Sequence, residues 1–129
     1  MDAQSNGSSV IRSRWAARLR KQLEASEYFA PSYPYPVHAM RLGNEMLMIG
    51  QGAETVVDYA LRFKREFRLG TWVLGYVDDM ISYIPSRRVW EEGGSNLLEY
   101  GRPSLRWSGD IEDRITASVH KLLKHVQGP

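Results

Sequence analysis

Two residues of this sequence stand where a carboxylate and a phenol can share a task. Glu54 follows an apolar run at 46–49 that Gly50-Gln51-Gly52-Ala53 breaks, and it stands where a helix is expected to begin. That position is the carboxyl edge of a sheet, where α/β proteins build their sites, and a helix N-terminus favours the ionised acid. Tyr83 closes a later apolar segment just before Pro85, and it projects beside Glu54 if the two strands are neighbours. Carboxylate and phenol oxygens both ligate zinc, the phenol only once a metal lowers its pKa from about 10. The plainer reading of each is structural: an acid at a helix start and an amphipathic tyrosine.

Other chemistry is easier to set aside. Gly75-Tyr76-Val77-Asp78-Asp79-Met80 resembles the catalytic hairpin of reverse transcriptases, where paired aspartates hold two metal ions. That reaction needs a further carboxylate on a neighbouring strand, and the run at 46–49 offers none. The two aspartates read instead as turn residues. The sequence has three histidines, of which His120 and His125 fall about 140° apart on a helix and cannot chelate one ion together. His38 stands alone on a strand. Gly50-Gln51-Gly52 lacks the lysine and spacing of a phosphate loop, and no nucleophile elbow is present.

These residues need a scaffold, and the composition supports one. The 129 residues are 43% hydrophobic and 25% charged, the balance of one globular domain. With no cysteine, disulfide scaffolds, thiolate zinc sites and cysteine nucleophiles are excluded. The net charge of +2 is carried unevenly, with Arg12, Arg14, Arg18, Arg20 and Lys21 uninterrupted by any acid. A solvated helix face is the simplest account of that run, and without a base-stacking motif no nucleic-acid partner is expected. No apolar run approaches the roughly 20 residues of a membrane span. No signal peptide is visible, so the cytoplasm is the default location.

The pattern predicts an α/β fold: a small sheet of about four strands packed by helices near 10–25, 55–68 and 110–126. Residues 1–9 read as a disordered lead, and 10–127 as a single α/β domain. Ile11, Trp15, Leu19 and Leu23 recur at every fourth position, one stripe of a helix. The proline-rich segment 28–36 is expected to lie as an aromatic strap over the domain. A hairpin spans 37–49, with Gly43-Asn44 as a two-residue turn. The run at 46–49 is apolar on both faces, as in a strand covered on each side. A helix from Glu54 or Thr55 stops at Gly70, residues 71–77 form another doubly apolar strand, and a short one is expected at 80–84. Pro85 opens a helical turn over 86–92. Asp110 caps a last helix with acids in its first turn and bases in its last.

Positions 35 to about 125 resemble the C-terminal part of the catalytic domain of neutral/alkaline non-lysosomal ceramidases, especially the bacterial ceramidase-like proteins. The stretches that carry the likeness are LGNEMLMIGQGAETVVDYALRFKRE and WVLGYVDDMISYIPSRRVWEEGG. The family has a strand, then proline-glycine-glutamate, then a helix, and Gly52-Ala53-Glu54 stands at that point. It also has a glycine-rich strand that ends in tyrosine, matched by Tyr83-Ile84-Pro85-Ser86-Arg87. The resemblance implies hydrolysis of the amide bond of ceramide by water on one zinc ion. It makes Glu54 and Tyr83 candidate zinc ligands beside two histidines.

The departures are equally specific. Both family histidines come from earlier in a longer domain, and His38, His120 and His125 match neither. The family has a further tyrosine near the reacting carbonyl, after a Gly-Gly step, and here Ser95-Asn96 follows Gly93-Gly94. Ala53 replaces the family proline. The expectation is a ceramidase-like segment without a complete zinc site, inactive alone, that binds zinc weakly if at all. Its partner would be an N-terminal ceramidase-like chain, and its substrate a lipid amide only once the site is completed. The alternative is a non-catalytic interaction module that forms a homo-oligomer.

Overall fold

A computed structural model of the chain describes residues 3–25, 32–68, 70–93 and 107–126, without the side chains at 3–9, 11, 12, 15 and 19. Helix α1 (Ala3–Glu24) is followed by strands β1 (Val37–Leu42), β2 (Met46–Gln51) and β3 (Glu54–Thr55). Helix α2 (Val57–Phe67) leads to strands β4 (Gly70–Leu74) and β5 (Tyr83–Ile84), then helices α3 (Arg87–Glu91) and α4 (Ile111–Val126). The fold is a small α/β structure with a three-stranded sheet ordered β1-β2-β4 and a two-stranded sheet of β3 and β5. The expected four-stranded sheet is thus divided. Gly52 and Ala53 turn the chain after β2, with Ala53 at φ 57°, and residues 75–82 part β4 from β5.

β1 and β2 form the expected antiparallel hairpin, with Leu42 opposite Met46. Its loop has three residues, not two. Gly43 takes a φ of 58°, and Glu45 leaves the ladder to accept from the Gly70 amide at 3.0 Å. That bond starts β4 beside β2, and it explains Gly70: a Cβ there would lie 2.9 Å from the Glu45 carbonyl. β2 and β4 run parallel, which requires a crossover, and α2 supplies it. α2 starts later than expected because Glu54 and Thr55 pair with β5 first. It ends at Arg68, whose left-handed φ of 53° lets its amide reach the Lys64 carbonyl at 3.2 Å, a turn earlier seen only as the glycine at 70.

α2 lies along β4 and α4 along β1, so both helices cover the same side of the sheet. Leu47, Ile49, Tyr59, Phe63, Ile115 and Val119 meet there in one core, with Phe63 stacked on Phe67 at a 6.0 Å centroid distance. Burying each such side chain fully contributes about 1.5–3 kcal/mol. α4 carries Glu112 and Asp113 in its first turn and Lys124 and His125 in its last, as its dipole favours. Asp110, expected to cap it, turns a carboxylate oxygen to Arg114 Nε at 2.7 Å instead.

Among the described residues the opposite side of the sheet is largely exposed. Met40 and Leu42 on β1 and Trp72 and Leu74 on β4 are all exposed, Trp72 at 59%. The register sets Met40, Met48 and Trp72 in one cross-strand row. α1 begins at Ala3, not after the lead expected through Ser9, and its described side chains Val10 and Leu23 are exposed. The side chains of Ile11, Trp15 and Leu19 lie outside the described residues. Among the described residues no helix is long and apolar enough to cross a membrane.

Candidate functional site

The structure brings the two sequence-predicted residues together. β3 and β5 pair in parallel with Glu54 opposite Tyr83 and Thr55 opposite Ile84. Residues directly paired across parallel strands project to the same face, so carboxylate and phenol stand side by side. Glu54 lies in β3 ahead of α2, whose N-cap is Val56, and not in the helix as expected. What positions Glu54 is the ladder. Its amide donates to the Ser82 carbonyl at 3.1 Å, and the Val56 amide donates to Ile84 at 3.3 Å.

A second set of bonds laces the loop after β2 to the loop after β4. The Ala53 amide donates to Asp79, and the Tyr76 amide donates to Ala53, each at 2.8 Å. The Val77 amide reaches Gln51 at 3.0 Å. Three non-glycine residues in these loops hold left-handed backbone: Ala53 at φ 57°, Tyr76 at φ 59° and Asp78 at φ 63°. The Tyr76 phenol lies within electrostatic reach of Glu54 and Tyr83. Partial burial, then the Glu54 charge, raise the pKa of that phenol. The cluster therefore has three oxygen-bearing side chains, and Tyr76 is the one sequence reasoning missed. Its signal was the Gly75-to-Met80 string, examined there for its aspartates rather than its tyrosine.

The expected aromatic strap is described over residues 32–36, and it closes the back of these loops. Tyr35 donates to the Gly52 carbonyl at 2.7 Å, and the Gly52 amide donates to Pro36 at 3.0 Å. Gly52 is required at this approach, since a Cβ would come within 2.6 Å of the Pro36 ring. Burial, then the charge of Asp79, raise the Tyr35 phenol far above its ordinary value. Trp107 packs edge-on against Tyr33 and Tyr35, and its indole N–H reaches the Tyr83 carbonyl at 3.0 Å. Residues far apart in sequence thus fix the Tyr83 backbone from behind.

The paired aspartates have separate structural duties, as their reading as turn residues expects. Asp78 pairs with His38 at 2.7 Å, and Asp79 accepts from the Tyr33 hydroxyl. His120 contacts Glu66 at 2.9 Å on the helical side, and His125 lies in the last turn of α4. No group of three or more His, Cys, Asp or Glu residues able to hold a metal exists among the described residues. As a donor set, Glu54 and Tyr83 fit the oxygen part of a zinc shell. A catalytic zinc takes three protein ligands, commonly with histidine among them, and the pair does not supply the imidazole part.

A separate polar groove of about 600 Å³ lies between α2, α3 and the start of α4. Asp58, Arg62, Glu66, Arg88 and Glu112 of its lining engage one another in pairs. Glu112 accepts from Arg62 at 2.8 Å and from the Arg87 amide at 2.7 Å, while Arg88 bonds Asp58. Ser86 caps α3 by accepting from the Val89 amide at 3.2 Å, and it donates to Asp58. The Ser86 and Arg88 bonds hold the Asp58 carboxyl below its ordinary range. Burial opposes ionisation of Glu66, but Arg62 and His120 outweigh it and lower that pKa too. This network joins helices and leaves no guanidinium of the pairs named here unengaged. No family model, curated protein or solved structure matches the chain.

Proposed function

We propose that this chain carries the carboxylate–phenol part of a ceramidase-like zinc amide hydrolase and that it is inactive until histidine ligands are brought to it. The observation that supports this most is the register of Glu54 against Tyr83. The resemblance pairs these two positions as metal ligands, and the strand pairing arises from the backbone without reference to any metal. Glu54 offers an anionic oxygen, and Tyr83 a phenol on a backbone held by the β3 ladder and Trp107. When bound, zinc supplies a Lewis acid and a water whose pKa falls to about 7. The substrate class is an N-acylated sphingoid lipid. His38 engages Asp78 and His120 engages Glu66, which supports a source of imidazole ligands outside these two. Calorimetric titration with zinc tests this reading. Weak uptake that Glu54→Gln and Tyr83→Phe each abolish supports it, together with no release of fatty acid from ceramide. A tight stoichiometric site in the monomer, or uptake indifferent to both substitutions, overturns it.

A second reading, a homodimeric interaction module without catalysis, draws on the bare sheet face with Met40, Leu42, Trp72 and Leu74. An uncovered apolar face of this kind is a common docking surface. Sedimentation distinguishes it: a clean monomer at micromolar concentration opposes the module, and a dimer weakened by Trp72→Lys supports it.

A further inference from the structure

Two apolar surfaces of this chain lack a cover among the described residues, and they match one another. The first is the outer face of the β1-β2-β4 sheet. His38, Met40 and Leu42 alternate outward along β1, and the register sets them beside Gly50, Met48 and Met46, then Leu74, Trp72 and Gly70. No Asp, Glu, Lys or Arg stands among these nine residues, and Met40, Leu42 and Trp72 are exposed. The second surface belongs to α1. This helix of 22 residues has no extended packing against any other described element. Helices in water draw most of their stability from packing an apolar face. The sequence places Ile11, Trp15, Leu19 and Leu23 along one stripe of α1, and Leu23 is exposed.

Length and charge agree as well. From Ile11 to Leu23 the stripe runs about 18 Å, and the six-residue strands β1 and β2 run about 20 Å. Arg14, Arg18, Arg20 and Lys21 border the stripe, are exposed, and join none of the ion pairs among the described residues. Glu45 stands exposed at the hairpin end of the sheet face, and Asp78 stands beside His38 at the other end. A basic helix thus meets an uncharged floor with an acid at each end, an electrostatically complementary match.

We propose that the outer face of the sheet is the docking surface for α1 of a second copy, so that two chains exchange their N-terminal helices. In the single chain α1 stands off its own sheet, whose face stays exposed, and the two surfaces meet between copies. Reciprocal exchange of one element closes as a symmetric dimer and leaves neither surface uncovered. Each sheet then gains the second helical layer that a parallel pair such as β2 and β4 usually has. At concentrations below that of assembly each chain keeps the exposed face described above. The proposal rests on the reading of the chain as a homodimeric module and goes beyond it by naming the surface each copy brings. Zinc plays no part in it.

Sedimentation of full-length variants at micromolar concentration tests this, with circular dichroism as the control for folding. Trp72→Lys alters the sheet face, and Trp15→Lys combined with Leu19→Lys alters the helix stripe. The wild type should sediment as a dimer, and each variant should associate about 30-fold or more weakly. An equimolar mixture of the two variants should dimerise again, because one intact helix then meets one intact sheet. Chains that had merely misfolded cannot complement each other in this way. If Trp72→Lys dissociates the dimer and the helix variant does not, the sheets pack face to face; the exchange falls and the module reading stands. A mixture that stays monomeric also overturns the exchange. A clean wild-type monomer overturns both the exchange and the module reading.

Discussion

The two faces of the β1-β2-β4 sheet are made by the same three strands, both with apolar residues, yet among the described residues one is sealed and the other largely exposed. Leu47 and Ile49 point to α2 and α4 and are at most 3% exposed, whereas their neighbours Met46 and Met48 point away and are half-buried. On β4, Thr71 is buried against the helices while Trp72 is 59% exposed. Antiparallel sheets that face water usually place polar residues outward, whereas parallel pairs are usually covered on both faces. This sheet has the outward residues of the covered kind. The difference teaches that strand composition records where cover is required, while helix positions decide which face receives it from within the described chain.

The largest expected effect tests that contrast directly. Phe63 is fully buried between Tyr59 and Phe67, so Phe63→Ala should cost about 3–5 kcal/mol in urea unfolding. Trp72→Ala removes a larger ring from the bare face and should change stability by only about 0.5 kcal/mol. A loss from Trp72→Ala comparable to that from Phe63→Ala would show that the face is covered in solution, and the comparison would break.

A smaller loss is expected where the helices are joined by charge. Glu112→Ala removes the acceptor of the Arg62 Nη1 group and of the Arg87 amide, while Arg62 keeps its bond to Glu66, a cost of about 1–3 kcal/mol. If thermal unfolding is unmoved, the groove contributes nothing to holding α4 against α2. The sealed face also contains a flaw that can be mended. Gln51 is fully buried, and among the described residues neither its amide nitrogen nor its oxygen has a partner. Gln51→Leu should therefore raise stability by about 1–2 kcal/mol, and a decrease would mean the amide is satisfied in solution.

The smallest effect is read from pH. The Asp58 and Glu66 carboxyls are lowered in the folded state, so their contribution is present above the ordinary carboxylate range and lost as pH falls through the folded values. The stability gap between wild type and Asp58→Asn should accordingly be open at pH 7 and close on acidification. An equal gap at pH 7 and pH 3 would show that Ser86 and Arg88 do not depend on the charge of Asp58.

Much of the scaffold was legible because its signals are local. The apolar period of α4, its acidic start and basic end, and the hairpin at 37–49 all follow from residues within a few positions of one another. The strap was legible from its prolines. Boundaries failed where a distant partner intervened: Glu54 and Thr55 have a good helix start beside them, but Ser82, Tyr83 and Ile84 claim them for a strand. The three-residue hairpin loop departs from the expected turn for the same reason, since Gly70 claims the Glu45 carbonyl. Tyr76 was invisible as a site residue because nothing near it in sequence announces a left-handed tyrosine.

By itself the sequence determined the residue types available for chemistry: a carboxylate at 54, phenols at 76 and 83, three histidines and no thiol. It also determined most of the helices and the 37–49 hairpin, because side-chain periodicity and capping act over a few residues. The tertiary structure alone decided that Glu54 faces Tyr83, that Tyr76 comes within electrostatic reach of Glu54, and that His38 and His120 engage other acids. Those choices depend on hydrogen bonds between loops separated by more than twenty residues. No local preference carries such information, because the partners are brought together only when the common core under α2 and α4 is buried.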